Sequence, residues 1–225
     1  RPLGHHLPLY AAMGNHEQNA DAWYDLVSYP DSVPTEPGHE SFYSFSFGNA
    51  FFVVIDTNKL FYDIDTGGGE VLELPYSKWI KSELDSAAAR AATWRFAMGH
   101  EPAITESWSP NSCGNFVGNQ HVRDWLMPLL ADARFHAYFS GHTHAYERGS
   151  LDGVLHIIAG GGGGDLDEWC EDVPDTEVVE SVHHYLVVEA ECQTLTLTAH
   201  RTADDSILDR VTLDPERWGE ISDAR

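Results

Sequence analysis

Three times in this chain a short apolar run ends in a turn built on glycine and histidine. Leu7–Met13 leads to Gly14-Asn15-His16-Glu17, Trp94–Met98 to Gly99-His100-Glu101, and Ala137–Phe139 to Gly141-His142-Thr143-His144. Short apolar runs closed by turn residues read as buried strands. In open α/β sheets, ligands sit beyond the carboxyl ends of the strands. Glycine permits the tight turn that aims the next side chain there. Three such turns can therefore face one crevice, and this recurrence points to a layered α/β fold.

The patterning between these runs supports that architecture. Ala22–Ser28 reads as a short helix stopped before Pro30. Ser41–Phe47 alternates polar and aromatic residues, as a half-buried strand does. Gly48-Asn49 then turns the chain into a second strand, Ala50–Ile55, so a hairpin is expected. Ser77–Ala91 has helical spacing, with Ser77 as its cap. Thr105–Asn119 is rich in Ser, Pro, Asn and Gly and reads as a long loop. Gln120–Leu130 reads as an amphipathic helix whose last turns Pro128 should disturb. Val154–Ile158 reads as a strand, Leu166–Glu180 as an acidic loop, and Tyr185–Glu189, Thr194–His200 and Ile207–Leu213 as a closing antiparallel meander. No linker splits the chain, so residues 1–225 read as one domain with helices covering sheet.

Charge removes several classes of partner. The chain holds 36 Asp and Glu against 13 Lys and Arg, a formal net charge of −23. Such a field repels phosphate backbones and anionic bilayers, which argues against nucleic-acid and membrane binding. No apolar stretch reaches the roughly 18–20 residues of a membrane helix. An acidic, lysine-poor surface suits high salt or an extracellular setting, and a strongly solvated surface is the plain alternative. Cys113 and Cys170 both lie in polar loops and can pair in an oxidising compartment; with Cys192 the count is odd.

The residue types at the three turns have a shared chemistry. Imidazole nitrogens and an amide oxygen suit borderline transition metals such as zinc, manganese or iron. A two-metal site clamps a phosphoryl group, and a histidine that is not a ligand can protonate the leaving oxygen. Gly14-Asn15-His16-Glu17, Gly99-His100 and Gly141-His142-Thr143-His144 together resemble the last three of five motif blocks of the calcineurin-like metallophosphoesterases. The longer string from Gly141 to Arg148 is similar to the purple acid phosphatase branch, and the resemblance runs from Leu7 to about Gly164.

The resemblance implies a four-layer α-β-β-α sandwich of two mixed sheets and a centre of two transition-metal ions, Fe, Zn or Mn. Asn15, His100 and His142 would bind one metal and His144 the other. His16 would hold the phosphate of a small ester substrate and protonate its leaving alcohol. The implied reaction is hydrolysis of a phosphate ester, a monoester first, by a metal-bridging hydroxide. A phosphodiesterase of the same superfamily, or a non-catalytic domain that has lost its metals, are the alternatives. Tyr146, Glu147 and Arg148 would anchor the loop, with Glu147 and Arg148 as a pair. The family's first two blocks, an Asp with a nearby His or Tyr and then a Gly-Asp pair, do not occur before Asn15. The sequence therefore reads as the C-terminal part of a longer protein, whose N-terminal segment would complete the sheet and cover its open edge.

Other polar residues have plainer readings. Gly160–Gly164 lacks the Lys-Ser/Thr of a nucleotide loop and reads as a flexible turn near the site. Asp56 ends a strand, where it caps a turn or approaches the metals. Glu17 and Glu101 follow ligand positions and are placed to hydrogen-bond near them. His5-His6 and His183-His184 read as solvated or strand-end residues, and His39-Glu40 lies in a loop that could border a cleft. Phe42, Tyr43, Phe45 and Phe47 read as sheet core.

Overall fold

The computed structural model describes residues 7–17, 20–27, 39–58, 75–109, 111–216, 218 and 221–223. In chain order the elements are α1 (Asp21–Leu26), β1 (Tyr43–Phe47), β2 (Ala50–Val54), α2 (Pro75–Leu84), α3 (Ala87–Ala91), β3 (Trp94–Met98), β4 (Ser107–Trp108), α4 (Met127–Asp132), β5 (Ala137–Ser140), β6 (Tyr146–Leu151), β7 (Val154–Ala159), β8 (Glu168–Trp169), β9 (Thr176–Glu180), β10 (His184–Ala190), β11 (Leu195–Arg201), β12 (Ile207–Leu213) and β13 (Ile221–Asp223). His5 and His6 lie outside the described residues.

Seven strands form one mixed sheet in the order β1-β2-β3-β5-β7-β6-β9. Its centre, β2 to β3 to β5 to β7, is parallel, while β1, β6 and β9 run antiparallel to their neighbours. The meander β10–β13 forms a second, wholly antiparallel sheet. Strand period two sends side chains to opposite faces. Phe51, Val53, Ala97, Tyr138 and Val154 thus join Ile80, Leu84, Leu126 and Leu130 in one core beneath the helices. Their strand neighbours Ala50, Trp94, Phe96, Ala137, Leu155 and Ile157 join Leu195, Leu197, Ala199, Val211 and Leu213 between the sheets. Among the described residues, helices, mixed sheet and meander are therefore three successive layers of the expected α-β-β-α sandwich, and its second sheet is antiparallel, not mixed. Each fully buried large apolar side chain contributes about 1.5–3 kcal/mol.

The structure departs from the expected elements in several places. Leu7–Met13 forms no strand: Leu7 and Leu9 are exposed. The segment docks through Tyr10, whose ring stacks on Phe45 with centroids 3.8 Å apart, and through its carbonyls. Tyr43 Oη donates to Ala11 O, and Asn58 Nδ2 to Met13 O. The single helix expected over 77–91 breaks at Asp85-Ser86 into α2 and α3. The cap is Ser86, whose Oγ accepts from the Ala89 N–H at 3.1 Å; Ser77 is buried inside α2. Pro128 sits in the first turn of α4, where its missing N–H costs nothing, and the disturbance falls upstream as a π-helical turn over Val122–Leu126. Phe42 and Tyr43 are core, but Phe47 is 77% exposed at the sheet edge. The acidic segment 166–180 contains β8 and β9. His184 is at a strand start as expected, but buried.

Two buried histidines are structural. His156 Nε2 accepts the Ala103 N–H at 3.2 Å, and His136 Nδ1 accepts the Arg95 N–H at 3.1 Å. Burial lowers His156 to about 3 and His136 to about 4, the latter helped by Arg95. Both stay neutral in the folded chain when the unfolded chain has protonated them below about pH 6.5. The unfolded state then binds more protons, so stability falls as pH drops from 6.5 towards 4, by up to about 1.4 kcal/mol per pH unit per histidine. We expect the urea midpoint to fall between pH 7 and pH 5, and H156Q, which keeps an acceptor for Ala103, to flatten that slope. An equally steep profile in H156Q would count against this assignment.

Candidate metal centre

Parallel pairing brings the ends of β3 and β5 to one rim. Beyond β3, Gly99 N–H donates to Phe139 O at 3.0 Å, and beyond β5, Gly141 N–H donates to His100 O at 3.0 Å. The two turns are thus laced together. The backbone N–H groups of His100 and Glu101 both reach Thr57 Oγ1, which follows β2. Asp56, next to it, is buried two residues beyond the end of the same strand. His142 has φ +66°, a left-handed conformation uncommon for a residue with a Cβ. Backbone strain of this kind persists where surrounding structure enforces it.

Three donor atoms meet at this rim. His100 Nε2 lies 2.8 Å from Asn15 Oδ1 and 3.0 Å from His142 Nδ1. Gly14 lets the Asn15 turn approach: a Cβ there would lie 2.9 Å from His100 Nδ1 and 2.8 Å from Glu17 Oε2. Glu17 locks the turn by accepting the Gly14 N–H at 2.7 Å. Burial, then the neighbouring imidazoles of His142, His16 and His144, lower His100 to about 4. His142 is lowered by burial and then by His144. The imidazoles are therefore neutral, as metal ligation requires. Glu101 Oε2 faces His142 Nε2 at 3.9 Å, and burial raises the Glu101 pKa.

His144 and His16 belong to the same cluster, since their charges act on both His100 and His142. His144 is oriented from outside. Its Nδ1 lies 2.7 Å from Asp165 O, and its backbone N–H donates to Asp167 Oδ2 at 2.8 Å. A donor Nδ1 leaves Nε2 with its lone pair free to bind a cation. The turn from β7 completes the wall, because a Cβ at Gly160 would collide with Thr143 O. The structure thus brings together all five residues singled out in the sequence: Asn15, His16, His100, His142 and His144. Among the described residues no three His, Cys, Asp or Glu side chains are placed to hold a metal by themselves. The amide oxygen of Asn15 lies beside the two imidazoles, where it could serve as a third donor. The set of one oxygen and two neutral imidazole nitrogens fits zinc, manganese or iron.

The tail of the motif behaves differently from its sequence reading. Tyr146, Glu147 and Arg148 lie in β6 and not in a loop, and Glu147 and Arg148 are not partners. The buried Glu147 accepts from Thr105 Oγ1 at 2.8 Å and from the backbone N–H groups of Glu106 and Ser107 at 2.9 and 3.0 Å. Arg148 pairs with Glu177 of β9 and with Asp209 of β12, tying the two sheets. Tyr146 Oη donates to Asp209 as well. Successive strand residues face opposite sides, which separates Glu147 from Arg148.

A matching model of the calcineurin-like phosphoesterase family spans residues 1–146. The chain belongs to the calcineurin-like phosphoesterase family. Within it, the chain is 30% identical to purple acid phosphatase 7 of Arabidopsis thaliana over 94 residues, covering 40% of this chain and 26% of that protein. It is 25% identical over 183 residues to the serine/threonine-protein phosphatase CPPED1 of Danio rerio, covering 80% of this chain and 56% of that one. The purple acid phosphatase PPD1 from yellow lupin (Lupinus luteus) seeds superposes with a TM-score of 0.65 at 21% identity, covering 81% of this chain and 34% of the lupin chain. GAP50, the anchor in the inner membrane complex of Plasmodium, superposes with a TM-score of 0.61 at 20% identity, covering 77% of this chain and 53% of its own. These likenesses establish a metallophosphoesterase-type fold of the purple acid phosphatase branch. The chain spans between about a quarter and just over half of the curated relatives named here.

Several residues at the centre were not legible in the sequence. Trp108 and Phe116 flank His142, each with its ring centroid 5.2 Å from the imidazole's. Their one sequence signal is the presence of large aromatics in a polar loop. Of the two residues that orient His144, Asp167 reads only as a member of the acidic segment 166–180, and Asp165 falls between it and the glycine turn 160–164. The Cys113–Cys170 pairing is formed and joins the aromatic loop to the aspartate loop across 57 residues. Closing a loop of that length stabilises a fold by about 2–4 kcal/mol. We expect C113S/C170S to lower the urea midpoint accordingly; an unchanged midpoint would show that the bridge contributes nothing to stability.

Proposed function

We propose that this chain contributes the metal-binding half of a phosphate-monoester hydrolase that works through a binuclear centre. The observation that carries the reading is the placement of Asn15 Oδ1 at 2.8 Å and His142 Nδ1 at 3.0 Å from His100 Nε2, with His144 and His16 in the same cluster. The net charge of −23 repels a phosphate, so a productive site needs concentrated local positive charge. Metal ions held there supply the charge that a phosphoryl group needs and the acidity that makes water a nucleophile at neutral pH.

Asn15, His100 and His142 hold one ion and His144 the other. His16 is exposed beside the other imidazoles of the cluster. It steadies the phosphate and delivers a proton to the departing alcohol oxygen. The relatives carry the names purple acid phosphatase and serine/threonine-protein phosphatase, which supports choosing a phosphatase reading, and so monoesters, over diesters. The formed disulfide and the acidic composition favour an oxidising, extracellular setting.

The test uses the full-length parent protein loaded with Mn²⁺, Zn²⁺ or Fe. H142A should lose bound metal by elemental analysis and lose phosphomonoester hydrolysis with it. H16A should keep its metal yet lose about 10²–10⁴-fold in kcat on alkyl phosphates, and less on 4-nitrophenyl phosphate, whose leaving group needs no proton. Full activity in H142A, or a metal-loaded parent that cleaves no phosphomonoester, would sink the proposal.

A further inference from the structure

The loop after β4 places two aromatic rings at the edge of the candidate metal centre. Trp108 lies 5.2 Å from His142, ring to ring, tilted by 36°, and Phe116 lies 5.2 Å away at 73°. The two rings are themselves 4.6 Å apart. Both are half-buried and belong to neither apolar core, so part of each side chain stays accessible to solvent.

Their position is fixed from three sides. Glu147 gathers the backbone N–H groups of Glu106 and Ser107. β4 pairs with β8, Trp108 opposite Glu168. The Cys113–Cys170 bridge then ties the loop between the rings to the segment that orients His144. A wall held this way needs no ordering when a ligand arrives, which lowers the cost of binding. The segment from Thr105 to Asn119 contains no Lys or Arg. It offers nothing to a second phosphate or a carboxylate and much to an uncharged ring.

Building on the phosphomonoesterase reading, we propose that Trp108 and Phe116 form the leaving-group subsite and that the substrates are phosphate monoesters of alcohols carrying an aromatic ring. The ring packs on Trp108 and Phe116 while His16 steadies the phosphate beside the ion that Asn15, His100 and His142 would hold. The P–O bond to the alcohol breaks, water supplies the new oxygen on phosphorus, and the alcohol leaves with a proton.

The experiment compares 2-phenylethyl phosphate with propyl phosphate, whose leaving alcohols have similar basicity. Metal-loaded full-length protein should favour the phenylethyl ester by about tenfold in kcat/KM. W108A should bring that ratio to within about twofold of unity, F116L should lower it partway, and W108F should retain most of it. A ratio near unity in the natural protein, or an unchanged ratio in both W108A and F116L, would overturn the inference while leaving the hydrolase reading intact. So would a W108A protein that loses metal and slows on both esters equally, since the rings would then only shield His142. A metal-loaded natural protein that turns over neither ester overturns the hydrolase reading and the inference with it.

Discussion

Parallel pairing of β3 with β5, in the register Phe96–Ala137, Ala97–Tyr138 and Met98–Phe139, sends both strands to the same rim. The chain leaves each strand through a glycine, and the two turns exchange backbone hydrogen bonds between Gly99 and Phe139 and between Gly141 and His100. Histidines 42 residues apart are thereby held with ring nitrogens 3.0 Å from each other. A slip of one residue would turn every side chain to the opposite face. The apolar alternation that fills two cores, one under the helices and one against the meander, prevents that slip. The packing of the sheet and the geometry of the centre are thus one constraint.

Around the donors, buried carboxylates organise loops instead of touching the chemistry directly. Glu147 and Glu106 each receive donors from loop segments: Glu147 from residues 105–107, Glu106 from Trp169 and Val173. Burial raises the Glu147 pKa, against the pull of those hydrogen bonds. Removing one side of such a network leaves a buried polar group unsatisfied, which costs more than the bond contributed. Arg148, with 2% of its side chain exposed, is compensated by carboxylates on two other strands, one in each sheet. A buried charge is tolerated only when paired in this way. The tail of the last histidine motif therefore includes an inter-sheet clamp, Tyr146 and Arg148 on Asp209.

Legibility varied with the range of the interactions. Strand β3 matches its expected bounds, and the hairpin β1–β2 and the meander formed where local alternation and turn residues placed them. These are decided by side chains two residues apart and by short turns. The helix over 77–91 was misread because Ser86 competes for the backbone and caps a new helix. Strands β6 and β9 escaped notice because their residues are polar and their stability comes from pairing with each other and with β7. Leu7–Met13 has strand composition but is held by ring stacking and side-chain hydrogen bonds, which no periodicity encodes.

By itself the sequence determined the layered α/β class, the meander, the family resemblance and the five candidate residues Asn15, His16, His100, His142 and His144. Glycine-histidine turns after apolar runs are local features, and local chemistry suffices to recognise them. Only the tertiary structure decided that His100 Nε2 and His142 Nδ1 face each other, that Asp165 and Asp167 orient His144, and that Trp108 and Phe116 wall the centre. It also separated Glu147 from Arg148, giving one to the loop and the other to the second sheet. Those outcomes depend on register, strand direction and loop closure between residues far apart in the chain, and such distances are set by packing, not by spacing along the sequence.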